Sequence, residues 1–489
     1  MRRFASALAA GAVGTLVSAC AVGPNYVQPE THSEAVFAAA EPGVYSSQQS
    51  TVRFWEAFGD PTLDRLIGDA LAANHDLRIA LAHLEETRAV HRLSRFDLFP
   101  TVTASGGYTR EELPAAQTFG VGRSLDQNFY EAGFDASWEL DFFGRVRRNV
   151  EAARAEAQGA AAGLEDAQVS VTAEVARVYF ELRGQQDELA VARRNVDNQT
   201  STRDLTRKQL DAGRGTEFDT SRAQAQLSTT RATIAPLEAA IARSIHRLSV
   251  LTGREPTALT ALLAPERELP ALPQIVAVDD PATLLRRRPD IRVAERALAA
   301  STARIGVEVA DLFPRVTFNG SFGYAAGAPA QLGEAGTRAY TIGPAITWAA
   351  FDLGRVHARI QGARADSEAA LAGYEKTVLG ALEETENALV THARSRDRLA
   401  QMSEAARESR TAAQIAHRRF EGGMSSFLEV LDAERTQLEA EDQLAQSRTD
   451  TATSLIAVYK ALGGAWQGAP LPRATPVAGS VAVSGREGG

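Results

Sequence analysis

The sequence predicts a mixed α and β membrane protein built as a tandem duplication, with two long coiled-coil helices and four membrane-crossing strands. Three observations predict this fold: a sequence repeat at an offset of 210 to 214 residues, four stretches that alternate apolar and polar residues, and apolar residues spaced by seven along two long segments. The composition agrees, because 44% of the 489 residues are hydrophobic and only 7% aromatic, a balance that favours closely packed helices over bulky globular cores.

The repeat defines the organisation of the chain. Asn74–Ala80 aligns with Arg288–Ala294, and the offset of 214 residues also brings Asp97–Pro100 onto Asp311–Pro314. Further pairs match at an offset of 210 residues, namely Trp138 with Trp348, Gly144 with Gly354, Gly213 with Gly423, and Asp219 with Glu429. We therefore expect residues 74–252 and 288–463 to be two copies of one unit, joined by a connection at 253–287.

Each copy contains the same elements in the same order. A helix of about 25 residues ends at a Leu-Phe-Pro stop, because proline cannot continue a helix. A strand pair, a long helix and a shorter return helix follow. The predicted ranges in the first copy are Asp76–Phe96, 101–139, 145–211 and 216–251, and those in the second are Asp290–Asp311, 315–349, 355–421 and 425–462. We expect each return helix to continue end to end into the helix that opens its copy, since the return helix is shorter than its partner.

The strands have one apolar and one polar face. They are about ten residues long and carry aromatic residues near their ends, which is typical of strands with a lipid-facing outside and a wet inside. The predicted girdle residues are Tyr108, Tyr130, Trp138, Tyr324, Tyr340 and Trp348. Four strands cannot close a barrel, and open edges are not tolerated in lipid, so several chains must share one. Two chains would give eight strands and three would give twelve, with room for water.

The long helices carry coiled-coil seams. Apolar residues recur at sevens from Val150 to Val178 and then shift by four, which indicates a stutter in the supercoil. Both helices end in glycine turns around Gly213 and Gly423, where glycine can adopt a left-handed conformation.

The N-terminus is typical of an exported protein. Arg2 and Arg3 precede an apolar run to Val17, the length of a signal-peptide core. The run ends in Val17-Ser18-Ala19-Cys20, which resembles a bacterial lipobox. We therefore expect residues 1–19 to be removed and Cys20 to carry diacylglyceryl and N-acyl groups; an ordinary signal peptide with an incidental cysteine is the alternative. As the only cysteine, Cys20 excludes an intramolecular disulfide and a cysteine-cluster metal site.

The charge balance and motifs exclude several functions. Lys and Arg number 52 against 61 Asp and Glu, a net charge of −9 that argues against nucleic-acid binding. No nucleophile elbow or phosphate loop occurs, so we predict no enzyme, no cofactor and no nucleotide-driven transport. His75, His83 and His91 are eight residues apart, whereas helical zinc ligands lie three or four apart, so no metal site is predicted.

Several motifs together resemble the TolC-like outer membrane efflux proteins, in particular their NodT-type lipoprotein branch that serves resistance-nodulation-division pumps. The motifs are Gly23–Tyr26, Phe54–Leu63, Arg287–Arg292 and Phe427–Ala433. The resemblance implies a homotrimer with a 12-stranded outer-membrane β-barrel, a periplasmic α-helical barrel and an equatorial belt. The belt would comprise residues 20–73, the 253–287 connection and part of 464–489, whose last residues we expect to be disordered.

The resemblance also implies partners and a passive role. The chain would be the exit duct through which a periplasmic adaptor and an inner-membrane proton-driven pump expel drugs or other small toxic compounds. The adaptor would dock on the hairpin tips at Gly213, Gly215, Gly423 and Ser425. Two alternatives remain open from the residues: a type I protein-secretion duct, and a lipid-anchored periplasmic coiled-coil scaffold without a pore.

Carboxylates after the second glycine turn are the candidate gate. Glu429 and Asp432 are three residues apart and share a helix face, so in a threefold assembly each would form a ring of three negative charges. By resemblance, the gate comprises Leu428, Glu429 and Asp432, with Arg435 one turn on as an ion-pair partner. The alternative for Glu429 is a capping box with Ser426, as Asp219 would form with Thr216.

Overall fold

The computed structural model describes residues 21–31, 34–46, 53–114 and 124–464. The helices are α1 Pro61–Ala73, α2 His75–Phe96, α3 Arg145–Asp211, α4 Glu217–Ala232, α5 Ile234–Leu251, α6 Thr260–Leu263, α7 Pro281–Arg287, α8 Pro289–Ala310, α9 Leu353–Glu421 and α10 Phe427–Ala461. The strands are β1 Tyr45–Ser46, β2 Thr101–Leu113, β3 Leu125–Leu140, β4 Val276–Ala277, β5 Arg315–Ala326 and β6 Arg338–Thr347. Cys20 and residues 465–489 lie outside the described residues, so the predicted lipidation and the predicted disorder of the tail stay predictions.

The chain divides into two compact units. The first contains the described residues within Met1–Glu30, His83–Ala161 and Val293–Lys376. The second contains those within Thr31–Ala82, Ala162–Arg292 and Thr377–Gly489. Among the residues that the structure describes, no helix has the length and apolar character needed to cross a membrane.

The first unit is built around a four-stranded antiparallel sheet with the order β2-β3-β5-β6. The two hairpins share one register, since Thr101 lies opposite Ser137 in the first and Arg315 opposite Thr347 in the second. These are equivalent residues of the two copies. The strand pairs are thus formed as predicted, but β2 and β3 are longer than the expected ten residues, at 13 and 16.

The second unit contains coiled-coil helices and short belt elements. The middle of the predicted seam of α3 is inside the helix packing, because Leu164, Val171 and Leu182 are all buried, whereas Val150 and Val196 near its ends are half-buried. The Phe54–Phe58 turn packs its rings onto these helices: Phe54 stacks on Tyr459 at 4.8 Å, and Phe58 meets Phe180 edge-on at 4.8 Å. The 253–287 connection contributes β4, which pairs with β1 in parallel.

The return helices meet the opening helices end to end, as their lengths predicted. The side-chain amide of Asn74, just before α2, donates to the carbonyl of Leu251 at the end of α5 at 2.9 Å. In the second copy, Arg288 donates to the carbonyl of Ala461 at 2.8 Å. Equivalent positions of the repeat therefore use different side chains for the same junction.

One detail of the sequence prediction is wrong. The first return helix is not continuous over 216–251 but ends at Ala232 and restarts at Ile234. Pro236 lies in the first turn of α5, where its missing N–H removes no helical hydrogen bond, whereas inside one long helix it would. The second return helix contains no proline in Phe427–Ala461 and is continuous.

Candidate functional site

The sheet separates polar from apolar side chains in rows that cross all four strands. One polar row consists of Thr103, Asp135, Ser321 and Thr341, which lie opposite one another. The neighbouring apolar row consists of Ala104, Phe134, Phe322 and Tyr340. The polar face is hydrogen-bonded within itself, since Ser105 donates to Asp135 at 2.8 Å and Ser137 to Asn319 at 3.0 Å. Because side chains alternate between faces, the sheet as a whole has one water-compatible and one lipid-compatible surface.

Aromatic side chains mark one boundary of the apolar face. Tyr108 and Tyr130 lie opposite each other with ring centroids 4.7 Å apart. Beyond them the same face becomes charged, with an ion pair between Arg110 and Asp126. β2 and β3 are therefore long because they continue past the apolar band. Tyr340 differs from the prediction, since it lies in the apolar row opposite Phe322 rather than at this boundary.

Tryptophans mark the other boundary. The indole N–H of Trp138 donates to the carbonyl of Leu98, and that of Trp348 to the carbonyl of Leu312, each at 3.0 Å. Both acceptors belong to the Leu-Phe-Pro stops that end α2 and α8. Each tryptophan thus ties the last residues of a strand pair to the helix end of its own copy.

The first residues of the described chain are held against this boundary. Arg148, whose side chain is only 5% exposed, donates to the carbonyl of Val22 at 3.1 Å and to the side-chain oxygen of Asn25 at 2.7 Å. Gly23 lies so close to Gly306 that a Cβ added to Gly23 would lie 2.5 Å from the Cα of Gly306. Sequence analysis missed this clamp and assigned residue 21 onward to the belt, although residues 21–30 belong to the sheet-bearing unit.

The glycine turns at the helical hairpins have the predicted left-handed geometry. Gly213 has φ of 69° and Gly423 of 70°. The amides that follow close the turns, as Arg214 N–H donates to the carbonyl of Gln209 and Met424 N–H to that of Arg419, both at 2.8 Å. Beside these turns lies an apolar cluster of Ala223, Phe420, Phe427 and Val430. The cluster joins helices of both hairpins.

The candidate gate residues lie on the exposed first turns of α10. Asp432 and Arg435 form an ion pair at 3.3 Å with side chains 69% and 60% exposed, the contact that their spacing predicted. Leu428 is 53% exposed. The expected Ser426 cap is absent, since its side chain makes no capping hydrogen bond, whereas Thr216 accepts from the Asp219 amide at 3.2 Å. Among the described residues, the Glu429 carboxylate forms neither a hydrogen bond nor an ion pair.

A buried carboxylate near the tip was not predicted. The Glu434 side chain is 6% exposed and lies 2.8 Å from Nε2 of His417 on α9. Thr202 on α3 also donates to Glu434, so the carboxylate links both hairpins. The hydrogen bond to Glu434 raises the pKa of His417 above its usual value, against the opposing effect of burial, and the charges of Glu434 and Glu421 add to it. No pattern in the sequence distinguishes Glu434, His417 and Thr202 from solvent-exposed polar residues of a helix surface.

The described residues hold no group of three or more His, Cys, Asp or Glu side chains arranged to bind a metal ion. His83, one of the three histidines considered from the sequence, lies 3.2 Å from Glu86 on the surface of α2.

Comparison with known proteins decides between the predicted functions. A family model described as outer membrane efflux protein matches residues 66–254 and 281–464. The chain belongs to this family. It is an outer-membrane efflux channel and not an enzyme, which confirms the predicted function and excludes the scaffold without a pore.

Individual relatives of this efflux channel match along almost their whole length. The chain is 30% identical over 470 residues to a probable efflux pump outer membrane protein, TtgC of Pseudomonas putida, covering 94% of this chain and 96% of the relative. Nodulation protein T of Rhizobium leguminosarum bv. trifolii is 30% identical over 455 residues, covering 92% and 96%. The solved structure of the outer-membrane channel OprN has 43% identity and a TM-score of 0.87, covering 92% of this chain and 100% of that one.

Proposed function

We propose that three copies of this efflux channel close a 12-stranded barrel and form the passive exit duct of a tripartite efflux system. The observation that carries the proposal is the unbroken run of polar and apolar rows across β2, β3, β5 and β6. Among the described residues, no further strand pairs with the sheet edges at β2 and β6. Unpaired edges are not stable in lipid, and twelve strands enclose a water-filled space, so the polar rows would line the duct.

The same trimer would bring three copies of the helical tip together. Each copy presents Leu428, Glu429 and Asp432 on the exposed first turns of α10. Rings of three carboxylates with an apolar neighbour form a constriction that selects and gates. The ion pair with Arg435 holds each Asp432 in place and lowers the repulsion within its ring.

The energy and the cargo come from partners. We propose that a periplasmic adaptor docks on the hairpin tips at Gly213, Gly215, Gly423 and Ser425, and that an inner-membrane proton-driven pump delivers drugs or other small toxic compounds. The exposed side chains of Phe218, Met424 and Leu428 give these tips apolar contact area. A wide polar duct selects weakly, so the pump determines which compounds leave.

The clamp on the first described residues supports an anchor at the membrane surface. The amide of Val22 donates to the carbonyl of Phe143 at 3.1 Å, in the short link between β3 and α3. Lipid on Cys20, two residues earlier, would therefore enter the membrane next to the barrel. Three acyl chains bind strongly, because each buried methylene contributes about 0.8 kcal/mol.

Planar-bilayer recording of the purified trimer tests the duct. We expect discrete conductance steps, with larger or more frequent openings for Asp432→Ala than for the unmodified protein. Asp450→Ala is the matched control, because Asp450 also lies exposed on α10 in an ion pair, with Arg398. If neither the unmodified protein nor Asp432→Ala conducts, the duct is refuted. If both alanine variants behave like the unmodified channel, the gate assignment is refuted.

A gene deletion distinguishes the efflux duct from a protein-secretion duct. Deleting the gene should raise susceptibility to small toxic compounds and leave exported proteins unchanged. Loss of a secreted protein without any change in susceptibility would favour the secretion alternative.

A further inference from the structure

An open cavity lies among five helices of the second unit, beside the junction of α5 with α2. Its volume is about 820 Å³, within the range of pockets that hold drug-sized ligands. Its apolar wall includes buried side chains from α3, α5, α9 and α10, namely Val171, Leu251, Ala388 and Ile456. The cavity therefore offers an apolar surface to a compound that enters it.

The cavity and the belt contacts lie on opposite faces of the same helix. On α9, the cavity residues Glu384 and Ala388 are four apart and share one face. Glu386, two residues from each of them, accepts from the amides of Ala38 and Ala39 in the belt segment at 2.8 and 2.9 Å. In a trimer whose belt surrounds the helical barrel, the cavity opens toward the tunnel.

Most charges around the cavity neutralise one another. Two arginines that line it share the carboxylate of Glu174, which accepts from Arg177 at 2.9 Å and from Arg247 at 3.2 Å. Arg177 also donates to Glu181. The hydrogen bond from Arg177 lowers the pKa of Glu174, so this carboxylate stays ionised. Two cations are thus held by two carboxylates.

The second charged group at the cavity is balanced in the same way. Lys460 lies 3.6 Å from the carboxylate of Glu384, and both residues line the cavity. Arg288 donates to Glu384 at 2.7 Å and to Asp290 at 2.8 Å. Again two cations face two carboxylates.

Asp76 is the carboxylate that is left over. It lines the cavity from the first turn of α2 and, within the described part of the chain, belongs to no ion pair. The equivalent Asp290 is paired because Arg288 occupies the position that is Asn74 in the first copy. An apolar wall beside one unneutralised carboxylate is complementary to an organic cation with an apolar body.

We propose that this cavity binds amphiphilic organic cations of drug size on their way through the tunnel, with Asp76 as the counter-ion. The apolar wall at Val171, Ala388 and Ile456 contacts the rest of the compound. This inference rests on the proposed function and adds a class of compound that the tunnel wall itself prefers. Binding is weak and reversible, because a conducting site must release what it binds.

Two dyes with the same ring system test the charge preference. Rhodamine 6G is a xanthene cation, whereas fluorescein is a xanthene anion at neutral pH. Fluorescence anisotropy is measured on the full-length trimer in phosphatidylcholine nanodiscs. We expect rhodamine 6G to bind and fluorescein to bind much more weakly. Equal binding of the two dyes would overturn the proposal.

Variants locate the bound cation. Asp76→Asn should weaken rhodamine 6G binding roughly two- to fivefold, as for a partly exposed ion pair. Glu85→Gln is the matched control, because Glu85 is an exposed carboxylate of the same helix that does not line the cavity. An Asp76→Asn variant that binds as tightly as this control would overturn the assignment of the counter-ion.

Two further variants test the cavity without changing Asp76. Ala457→Phe places a ring in the cavity from an exposed position and should weaken rhodamine 6G binding, whereas Ala405→Phe, exposed on α9 outside the cavity, should not. Glu174→Gln leaves Arg247 without its carboxylate, so fluorescein binding should increase. Unchanged binding of both dyes in these variants would show that they bind elsewhere.

Planar-bilayer currents test whether the cavity opens into the tunnel. Rhodamine 6G should cause brief reductions of the current through Asp432→Ala channels, and adding Asp76→Asn should shorten them. A conducting trimer that binds no rhodamine 6G, or binds it without any change in current, overturns this inference and leaves the duct intact. If neither the unmodified protein nor Asp432→Ala conducts, it is the proposed function that fails.

Discussion

The histidine at the helical tip should make the tip stability depend on pH. His417 donates to a Glu434 carboxylate that is 6% exposed, and the contact raises the pKa of His417. A histidine with a raised pKa in the folded state stabilises that state fully below its unfolded value of about 6.5. This contribution is lost as the pH rises through the higher folded pKa. The tip should therefore be more stable in mild acid than in mild base.

The contact geometry sets the size of the effect. A hydrogen bond to a charged group contributes about 1.5–3 kcal/mol. Solvent screening applies because the His417 side chain is 31% exposed, so the lower end is appropriate. About 1.5 kcal/mol corresponds to a tenfold change in the opening equilibrium. Thr202 continues to donate to Glu434 in both pH ranges and limits the loss.

Hydrogen exchange of the detergent-solubilised trimer measures this change. Amides of α3 and α10 around Thr202 and Glu434 should lose about tenfold protection between about pH 5.5 and about pH 8, after correction for intrinsic exchange. His417→Gln should remove the pH dependence. His83→Gln is the matched control, because His83 pairs with Glu86 on an exposed surface. Protection that does not change with pH, or a change that survives His417→Gln, would refute the reasoning.

Three further variants probe the sheet and the turns. Gly133→Ala should destabilise the folded protein by about 1–3 kcal/mol through overpacking, because the added Cβ would lie 2.8 Å from the Phe322 carbonyl oxygen, and the yield of heat-resistant trimer should fall. Gly343→Ala is the control, since Gly343 lies on the same face with nothing within 4 Å of the added Cβ, and its yield should not change. Trp138→Phe should lower the melting temperature measured by circular dichroism, because losing a hydrogen bond of 3.0 Å costs about 0.5–1.5 kcal/mol. An unchanged melting temperature would show that this hydrogen bond adds nothing to the stability. Gly423→Ala forces alanine to φ of 70° at about 1–2 kcal/mol, which faster hydrogen exchange of the hairpin would reveal.

The sequence predicted those features that repeat along the chain. Alternation of polar and apolar residues specified which strand face is wet, and the structure keeps Phe134 and Phe322 on one face with Asp135 on the other. The glycine turns were predictable because few residues other than glycine adopt a left-handed conformation. The ends of the long helices follow from the same stop signals, within one or two residues.

Features that depend on tertiary contacts were missed. The seam spacing does not show that Glu434 is buried, because a carboxylate on a helix is usually solvated. Arg148 likewise looks like a surface charge until residues 22–25 pack around it. The helix break at Thr233 is different, because Pro236 indicates a break in the sequence itself. The sequence prediction gave more weight to the long helical pattern around this proline.

Differences between equivalent residues indicate which hairpin moves. In the first hairpin, Thr216 caps α4 by accepting from the Asp219 amide, and its hydroxyl also donates to the Asp219 carboxylate at 2.6 Å. The equivalent Ser426 does not cap α10, and the hydroxyl of Ser425 is buried without a hydrogen-bond partner in the described part of the chain. A missing cap costs about 1 kcal/mol of helix stability. The first turn of α10, in the second hairpin, is therefore less stable than the first turn of α4, in the first hairpin. The second hairpin is also the one that carries Glu429 and Asp432. A gate needs two accessible conformations, so we expect the opening motion to start at α10 while the first hairpin remains in place.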